Sequence, residues 1–524
     1  MVRRFVLGIL LGFPLVWLVT SPLPVFASDA VVTSPCNEGA FSTALDTVQS
    51  SGGGAVTFNC GAATIVLSSV KLITSNVTLD GGDQITLSGG NATQIFHVIP
   101  GGHLTLANVS ITNGFGNNGF GNGDGGAVRN DGILTVANST FRGNSTNVSF
   151  SGGAIVSYGP VTITHSLFED NRGGSGGALY VRFPSAQTVI SDTVFRNNAA
   201  NSPANGWGGA ILTWDGAPLT IEGGEIYGNT ARNGGGIYNT ANSIVTVRGG
   251  AVIRENLATG GVPEGGGIHN SGTLSLGTAT VMDNTAHSGG GIYNAGTMSL
   301  VDATISGNRA DGGYGGGIEN SGGNGTLDRV TLSGNSAYAS GGGIHHYNGM
   351  LTLTNTTVSG NDSGLGGGID SVNNGSMSLT FVTIAGNSAA YGAGIAKVAA
   401  GTVTLRNVLL DNTGERGNCW RSDNGTTLTS LGFNLSSDTD FDCYLTQPSD
   451  YTGVDPQLSP LGDWGGATWT MIPAATSAAI DRAQCLASVS IDQRGIIRPQ
   501  GAACDIGAVE VPIGTRVLLP IVIK

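Results

Sequence analysis

The sequence is poor in charged residues and has no basic run. Asp, Glu, Lys and Arg make up only 11% of the 524 residues, and the net charge is −13. Ordinary globular chains carry about 25% charge. Without a cluster of Lys or Arg, nucleic acid is not expected as a partner. Hydrophobic residues still make up 40% of the chain, which argues against intrinsic disorder because disordered chains have too few of them to bury.

Long apolar runs are absent after residue 27, so no later segment has the ~18 apolar residues that a membrane-spanning helix needs. The longest run, residues 5–20, follows Arg3 and Arg4 and precedes Ala27. This order of features is typical of a secretory signal peptide. We therefore predict a signal peptide over residues 1–27 and an exported protein, secreted or at the surface or outer envelope of a bacterium. An uncleaved membrane anchor is the alternative.

Cysteine is absent from the middle of the chain. Six cysteines lie towards its two ends, at Cys36, Cys60, Cys419, Cys443, Cys485 and Cys504. An even number in an exported protein suggests disulfides, and proximity in sequence favours bonds between consecutive pairs in that order. Because there is no C-x-x-C pair, a metal site of that kind is not expected.

Glycine, by contrast, is abundant, with 88 residues, and much of it recurs in a unit of about 26 residues, a period typical of solenoids. Each unit has a short glycine-rich run followed by an aliphatic residue. The repeated aliphatic positions are Val128, Ile155, Leu179, Ile211, Ile237, Ile268, Ile292, Ile318, Ile344, Ile369 and Ile395. Since glycine tolerates positive φ, these runs are predicted to form corners where neighbouring coils approach closely.

Two further elements keep step with the glycines: a segment that alternates apolar and polar residues, and an apolar segment that ends in asparagine. The asparagines are Asn144, Asn171, Asn198, Asn229, Asn256, Asn284, Asn308, Asn335, Asn361 and Asn387. We expect them at left-handed corners, with their amides stacked in a ladder; a ligand-binding row is the alternative. Three short strands per unit predict an all-β chain that forms a single right-handed parallel β-helix.

The two ends of the chain break this repeat. Residues 28–112 are predicted to hold an N-terminal cap, with a helix over residues 38–49, and the first irregular coils. Residues 113–411 form the regular repeats, and residues 412–510 are predicted to form a C-terminal capping module. Residues 511–524 form an apolar tail, which is interpreted either as a sorting signal or as a final edge strand.

The residue after each repeated aliphatic is expected to point to solvent, because side chains alternate along a strand. This outward row reads Arg129, Val156, Tyr180, Leu212, Tyr238, His269, Tyr293, Glu319, His345, Asp370 and Ala396. Its candidate ligand-binding members are Tyr238, His269, Tyr293 and His345, since aromatic faces suit sugar rings or a protein partner. A surface strand that merely favours aromatic residues is the alternative.

The G-G-G-I-x-N and S-G-N-x-A units that follow Asn113 and Gly114 resemble bacterial right-handed parallel β-helix proteins of the pectin-lyase-like group. They are most similar to the polymorphic outer-membrane-protein-type repeats. The motifs around Asp481, Asp492 and Asp505 are similar to a C-terminal region called choice-of-anchor Q. This resemblance implies a β-helix fold and a secreted or cell-envelope location, but no particular reaction.

The pectin-lyase-like group includes enzymes that cleave polysaccharides, although a shared fold does not imply a shared activity. The polygalacturonase motifs N-T-D, D-D, G-H-G and R-I-K are absent from the sequence, and its acidic residues are not clustered as a calcium site requires. We expect no catalytic residue, metal or cofactor, with calcium at residues 121–124 as the alternative. The densest ionic cluster is interpreted as structural, with a cation site or an Arg base as the alternative, and comprises Asp481, Asp492, Arg494, Arg498, Asp505 and Glu510.

Together these features predict an exported protein with a non-enzymatic role in adhesion, glycan binding or structure. Its expected partners are extracellular polysaccharide or components of the cell envelope. The alternative is a polysaccharide-cleaving enzyme, either a pectate-lyase-like lyase or a glycoside hydrolase, with an unrecognised site.

Overall fold

A computed structural model describes residues 27–116, 125–412, 417–422, 427–439 and 441–512. Residues 1–26 of the predicted signal peptide, residues 121–124 and the tail after Pro512 lie outside the described residues. Over the described ranges the chain forms about 15 turns of a parallel β-solenoid, so the predicted fold class is confirmed. Within these same ranges, no helix is long and apolar enough to cross a membrane.

Each regular coil contains four short strands, one more than the sequence predicts. One coil comprises Ile292–Asn294, Thr297–Val301, Thr304–Ser306 and Arg309–Ala310. The additional strand follows the repeated asparagine and is only two residues long in most coils. Every strand pairs in parallel with its equivalent one coil away, so the strands of the described chain form three sheets along the rod.

Sheet 1 holds the strands that follow the glycine runs, and sheet 3 holds the additional short strands. The strands of sheet 1 are Lys71–Ile73, Phe96–Val98, Val128–Asn130, Ile155–Ser157, Leu179–Arg182, Ile211–Trp214, Ile237–Asn239, Ile268–Asn270, Ile292–Asn294, Ile318–Ser321, Ile344–Asn348, Ile369–Ser371, Ile395–Lys397 and Cys419–Arg421. Those of sheet 3 are Phe115–Gly116, Ser145–Thr146, Arg172–Gly173, Ala199–Ala200, Thr230–Ala231, Leu257–Ala258, Thr285–Ala286, Arg309–Ala310, Ser336–Ser340, Asp362–Leu365 and Ser388–Tyr391.

Sheet 2 is bent and receives two strands from each regular coil. Its first half, together with the N-terminal strands, comprises Ala30–Thr33, Gly53–Asn59, Ala63–Val66, Asn76–Ser88, His103–Thr112, Ile133–Ala137, Val161–Thr164, Thr188–Ser191, Pro218–Glu222, Ile244–Arg248, Thr273–Gly277, Thr297–Val301, Asn324–Asp328, Met350–Thr354, Ser376–Thr380, Thr402–Arg406 and Thr427–Ser430. Its second half comprises Thr140–Arg142, Leu167–Glu169, Val194–Arg196, Glu225–Tyr227, Val252–Arg254, Thr280–Met282, Thr304–Ser306, Thr331–Ser333, Thr357–Ser359, Thr383–Ala385, Leu409–Asp411, Leu435–Ser436 and Tyr451–Thr452.

The interior of the rod is filled by the apolar positions of the repeat. Ile292, Leu300 and Ile305 from three strands of one coil are fully buried. Their equivalents stack in register along the rod, as Ile292 does on Ile318. Because parallel strands lie about 4.8 Å apart, each inward side chain packs on the residues at the equivalent position of the coils above and below it, most of which are also apolar. The repeat therefore produces one continuous apolar core.

The repeated asparagines form the predicted ladder, which runs from Asn144 and extends past Asn387 to Asn412 and Asn418. Each side-chain oxygen accepts from the backbone and side-chain nitrogens of the asparagine one step earlier, at about 3 Å. The left-handed conformation expected at these asparagines belongs instead to the residue before each of them, such as Gly307 with φ of 63°. The asparagines are turned inward, where their amides replace backbone hydrogen bonds that the corner breaks.

A second buried ladder, which the sequence analysis missed, lies at the end of the strands of sheet 1. It links Asn239, Asn270, Asn294 and Asn320 through amide hydrogen bonds of 2.6–2.7 Å. The ladder then reaches His346, whose Nδ1 lies 3.0 Å from the Asn320 amide nitrogen. Burial lowers the pKa of His346 to about 4, so this imidazole is neutral and can accept that hydrogen bond.

The N-terminal end of the rod is covered by the one α-helix of the described chain, Glu38–Ser50, at the predicted position. Asn37 caps it by accepting a 3.0 Å hydrogen bond from the Ala40 backbone nitrogen. Its buried face comprises Phe41, Ala44, Leu45 and Val48. The helix therefore presents its apolar stripe to the open end of the core, as an amphipathic cap must.

At the other end, strands continue the solenoid beyond residue 411, as Cys419–Arg421 and Leu435–Ser436 show. A short 3-10 helix, Phe441–Cys443, follows. The chain after Val454 then turns back and packs along the outside of sheet 2. The Gln493 amide, for example, contacts the hydroxyls of Thr331 and Thr357 at 3.0 and 2.6 Å. The C-terminal segment thus braces the side of the last coils in addition to covering the end.

Candidate ligand-binding site

The outward row lies on sheet 1 and points away from the core. Most of its side chains are nevertheless buried, whereas the alternation along the strand predicted that they would be exposed to solvent. His269 and His345 are only 4% and 3% exposed, while Tyr238 and Tyr293 are partly exposed. Two physical causes account for this difference. Rings in adjacent coils cover one another, and side chains from the position just before the glycine runs fold over the row.

The covering side chains come from Trp207, Glu264 and Tyr314. The ring centroids of Trp207 and Tyr238 are 5.2 Å apart, and those of Tyr314 and His345 are 4.6 Å apart. The Glu264 carboxylate lies 3.2 Å from Nε2 of His269. These three residues were not predicted from the sequence, although their position directly before each glycine run could have identified them, since that position pairs from coil to coil.

Five rings form a continuous stack that runs along the rod and includes three of the four predicted binding residues. Its members, in order, are Trp214, Trp207, Tyr238, His269 and Tyr293. The shortest step, between Tyr238 and His269, is 4.2 Å with an angle of 8° between the ring planes. The fourth predicted residue, His345, belongs to a separate stack with Tyr314.

A cleft of about 540 Å³ lies at the Trp214 end of this stack. Its aromatic and apolar walls are formed by Phe150, Tyr180, Trp207, Leu212 and Trp214, and its polar groups come mainly from serines and Asn205. The volume falls within the range of about 300–1,000 Å³ that small-molecule sites have.

An insertion builds one wall of this cleft. The repeat from Ala178 to Ala210 is 32 residues long, whereas the repeat before it is 24 residues long. The extra residues include the segment 202–205, which closes the cleft from the side. This repeat therefore departs from the regular coil at the place where the cleft forms.

The tyrosine hydroxyls of the stack remain protonated at neutral pH. Burial raises the pKa of Tyr293 to about 12, and the nearby Glu264 and Glu319 carboxylates add to this shift. Burial also raises the pKa of Tyr238. The Tyr293 hydroxyl is hydrogen-bonded to Ser321 and Glu264, and that of Tyr238 to Ser271, so polar neighbours hold both phenols at the surface of the stack.

Further along the row, one imidazole lies between two carboxylates. Nδ1 of His345 is 2.6 Å from the Glu319 carboxylate, and its Nε2 is 3.5 Å from that of Asp370. All three side chains are almost fully buried. The two carboxylates raise the pKa of His345 despite the opposing effect of burial. Since the carboxylates lie on opposite sides of the ring, they favour a doubly protonated imidazolium rather than a shared metal ion.

This arrangement predicts a pH-dependent stability. The raised pKa of His345 means that its stabilisation is complete below 6.5, the ordinary histidine value, and is lost as the pH rises through the folded-state pKa. Wild-type unfolding in urea, measured from pH 6.5 upward, should therefore show a steeper loss of stability than His345→Gln. The neighbouring His346, whose pKa burial lowers to about 4 in the folded protein, is retained in both proteins, so its own contribution to the slope is common to the two profiles and cancels in the comparison.

Two neighbouring groups also titrate, and the comparison of variants separates their contributions. Burial raises the pKa of Asp370, and burial lowers the pKa of Lys397. Both residues are retained in His345→Gln. As a control, His165→Gln changes an imidazole that is 64% exposed beside Asp192, and its profile should match that of wild type. Equal slopes for wild type and His345→Gln would show that this imidazole does not carry the charge.

The six residues of the C-terminal ionic cluster lie together, with their charges turned inward. Arg498 contacts the Glu510 carboxylate at 2.9 Å and lies over the Phe381 ring at 4.1 Å. The Arg494 guanidinium and the Asp492 carboxylate are 3.0 Å apart. Backbone N–H groups supply further partners, because Asp505 accepts from Asp481 and from Val511. Burial raises the pKa of Asp505 to about 6.

The cysteines pair as Cys36 with Cys60, Cys419 with Cys443, and Cys485 with Cys504. Three disulfides suggest an extracellular environment. In the part of the chain that the structure describes, no group of three or more His, Cys, Asp or Glu residues is placed to hold a metal ion.

Neither the family models nor the curated proteins include a match to this chain, so the specific repeat family and the C-terminal anchor region remain resemblances. Among solved structures, the chain is similar to the A-module of a mannuronan C-5 epimerase from Azotobacter vinelandii. The sequences are 15% identical, the match covers 74% of this chain and 94% of that one, and the TM-score is 0.32. Such a distant likeness assigns no role to any residue.

Proposed function

We propose that this is an exported, carbohydrate-binding protein of the cell surface or of the secreted fraction, and that it holds a glycan in the cleft beside Trp207 and Trp214. The observation that carries the proposal is the combination of two partly exposed indole rings with serine and amide groups in one cleft. Sugar rings present C–H faces that pack on aromatic rings, while their hydroxyls exchange hydrogen bonds with such polar groups.

The position of the cleft supports a polymeric ligand. The cleft spans the coils between residues 148 and 214, and the partly exposed Tyr238 and Tyr293 continue the aromatic surface along the rod. An extended glycan that enters the cleft would therefore meet further aromatic edges in the next coils. Polysaccharide cleavage, the alternative activity, would need an acid or base beside the glycan in the cleft. His345 with its two carboxylates is buried, and none of the described residues that line the cleft is Asp, Glu or His.

Glycan-array binding of the full chain should give signals that Trp207→Ala reduces at least about tenfold, a loss of about 1.4 kcal/mol. Trp469→Ala is the matched control, because this tryptophan is 57% exposed on the C-terminal segment away from the cleft. Circular dichroism should show that both variants fold. Equal binding by wild type and Trp207→Ala, or new reducing ends or unsaturated products from a bound glycan, would contradict the proposal.

A further inference from the structure

We infer, on the basis of the proposed function, that the cleft selects uncharged sugars and rejects uronic acids. Among the described residues that line the cleft, none is Lys, Arg, His, Asp or Glu. The only titratable group in the lining is the phenol of Tyr180. A uronate carboxylate that entered the cleft beside the stacked indoles would lose its hydration without gaining a cation, which is strongly unfavourable.

Two of the cations close to the cleft are already engaged with other groups. The Arg182 guanidinium is 2.7 Å from the Asp215 carboxylate. Arg232 donates to the backbone oxygens of Pro203 and Ala204 and lines a neighbouring depression on the other side of that segment. Arg172 is the exposed residue of the short strand that directly precedes Gly174 of the cleft lining, and it is the side chain that an acidic ligand would have to recruit.

A partly exposed carboxylate and the overall charge act in the same direction. Glu264, with 30% of its side chain exposed, lies beside His269 in the ring stack. A polyuronate that extended from the cleft along the rod would pass this carboxylate, and the protein as a whole carries a net charge of −13. Neutral glycans avoid both the desolvation and the repulsion.

The test titrates the full chain with neutral hexasaccharides (cellohexaose, xylohexaose and mannohexaose) and acidic ones (hexagalacturonate and hexaguluronate), with tryptophan fluorescence and calorimetry as readouts. At least one neutral probe should bind at least tenfold tighter than either acidic probe, and Trp207→Ala should weaken that binding. Ala204→Lys, which places a cation in the lining at an exposed position, should raise the affinity for hexagalacturonate in a salt-sensitive manner.

The outcomes separate this inference from the proposed function. Tighter binding of an acidic probe that depends on Trp207, or that is abolished by Arg172→Gln, would overturn the selectivity and leave glycan binding intact. Failure of all five probes to bind would overturn both. Binding that is unchanged in Trp207→Ala would place the ligand elsewhere and likewise overturn both.

Discussion

Alanine in place of Gly316 is expected to lower the free energy of unfolding by about 3 kcal/mol or more, at the upper end of what overpacking costs. Gly316 is the middle glycine of its run. A Cβ atom there would lie 2.5 Å from the backbone oxygen of Gly342 and closer still to that of Ser336. These atoms belong to hydrogen-bonded backbone of the next coil, so they cannot move aside as a flexible side chain could.

The matched control is Gly277→Ala, at a glycine within a strand where the nearest atom to an added Cβ is the Arg248 Cβ, 3.9 Å away. Its effect should stay within about 0.5 kcal/mol, as is usual for substitutions that disturb no packing. Urea unfolding followed by far-UV circular dichroism gives both values. If the two variants were equally stable, the close approach of backbones at the glycine corner would be refuted.

The glycine run also illustrates which features the sequence could predict. Its period predicted the coil, because a solenoid repeats the same contacts at every turn and therefore repeats the same residues. It also predicted the two roles of glycine, which different members of the run perform. The first glycine, such as Gly315 with φ of 65°, makes the turn, and the second, such as Gly316, permits the close approach.

The candidate ligand-binding site was harder to predict from the sequence than the fold. The alternation of side chains along the strand correctly predicted that Tyr238 and His269 point away from the core. It could not show that the side chains of Glu264 and Trp207 fold over the same row. Those contacts depend on side-chain directions at a corner, where alternation fails. The cleft depends on the length of one insertion, and the regular repeat does not predict the structure of an insertion.

The path of the C-terminal segment was equally hidden. Gln493 contacts Thr331, which is 162 residues earlier in the chain, and no local pattern encodes a contact over that separation. The inward-facing charges around Arg498 were visible as a cluster in sequence. Their packing on Phe381 of the solenoid, by contrast, required the fold.

Replacement of Asn308 by alanine is expected to destabilise the protein by about 3–5 kcal/mol, because each buried group left without a partner costs about 1–3 kcal/mol. Asn308 is fully buried in the middle of the ladder. Its side-chain oxygen accepts from the backbone nitrogen and the amide of Asn284. Its amide nitrogen donates to Val281 and Asn335. Alanine removes both the donor and the acceptor and leaves the neighbouring groups in a water-free interior.

The control Asn324→Ala changes an exposed asparagine that accepts a single hydrogen bond from the Met350 backbone nitrogen, and it should cost about 1 kcal/mol or less. Asn308→Asp preserves the shape but at neutral pH replaces the donating amide by a charged acceptor that faces the Val281 oxygen, so it should be at least as harmful as alanine. Urea unfolding provides the overall values for these variants.

Hydrogen exchange read by mass spectrometry locates the effect of Asn308→Ala. Each coil contacts mainly its neighbours, so stability in a solenoid is approximately a sum of local terms. Protection should therefore fall first in the coils that contain Asn284 and Asn335, while the N-terminal coils around Leu104 keep theirs. A uniform loss along the whole rod would mean that the solenoid unfolds as one unit, and an unchanged pattern would show that the ladder does not hold adjacent coils together.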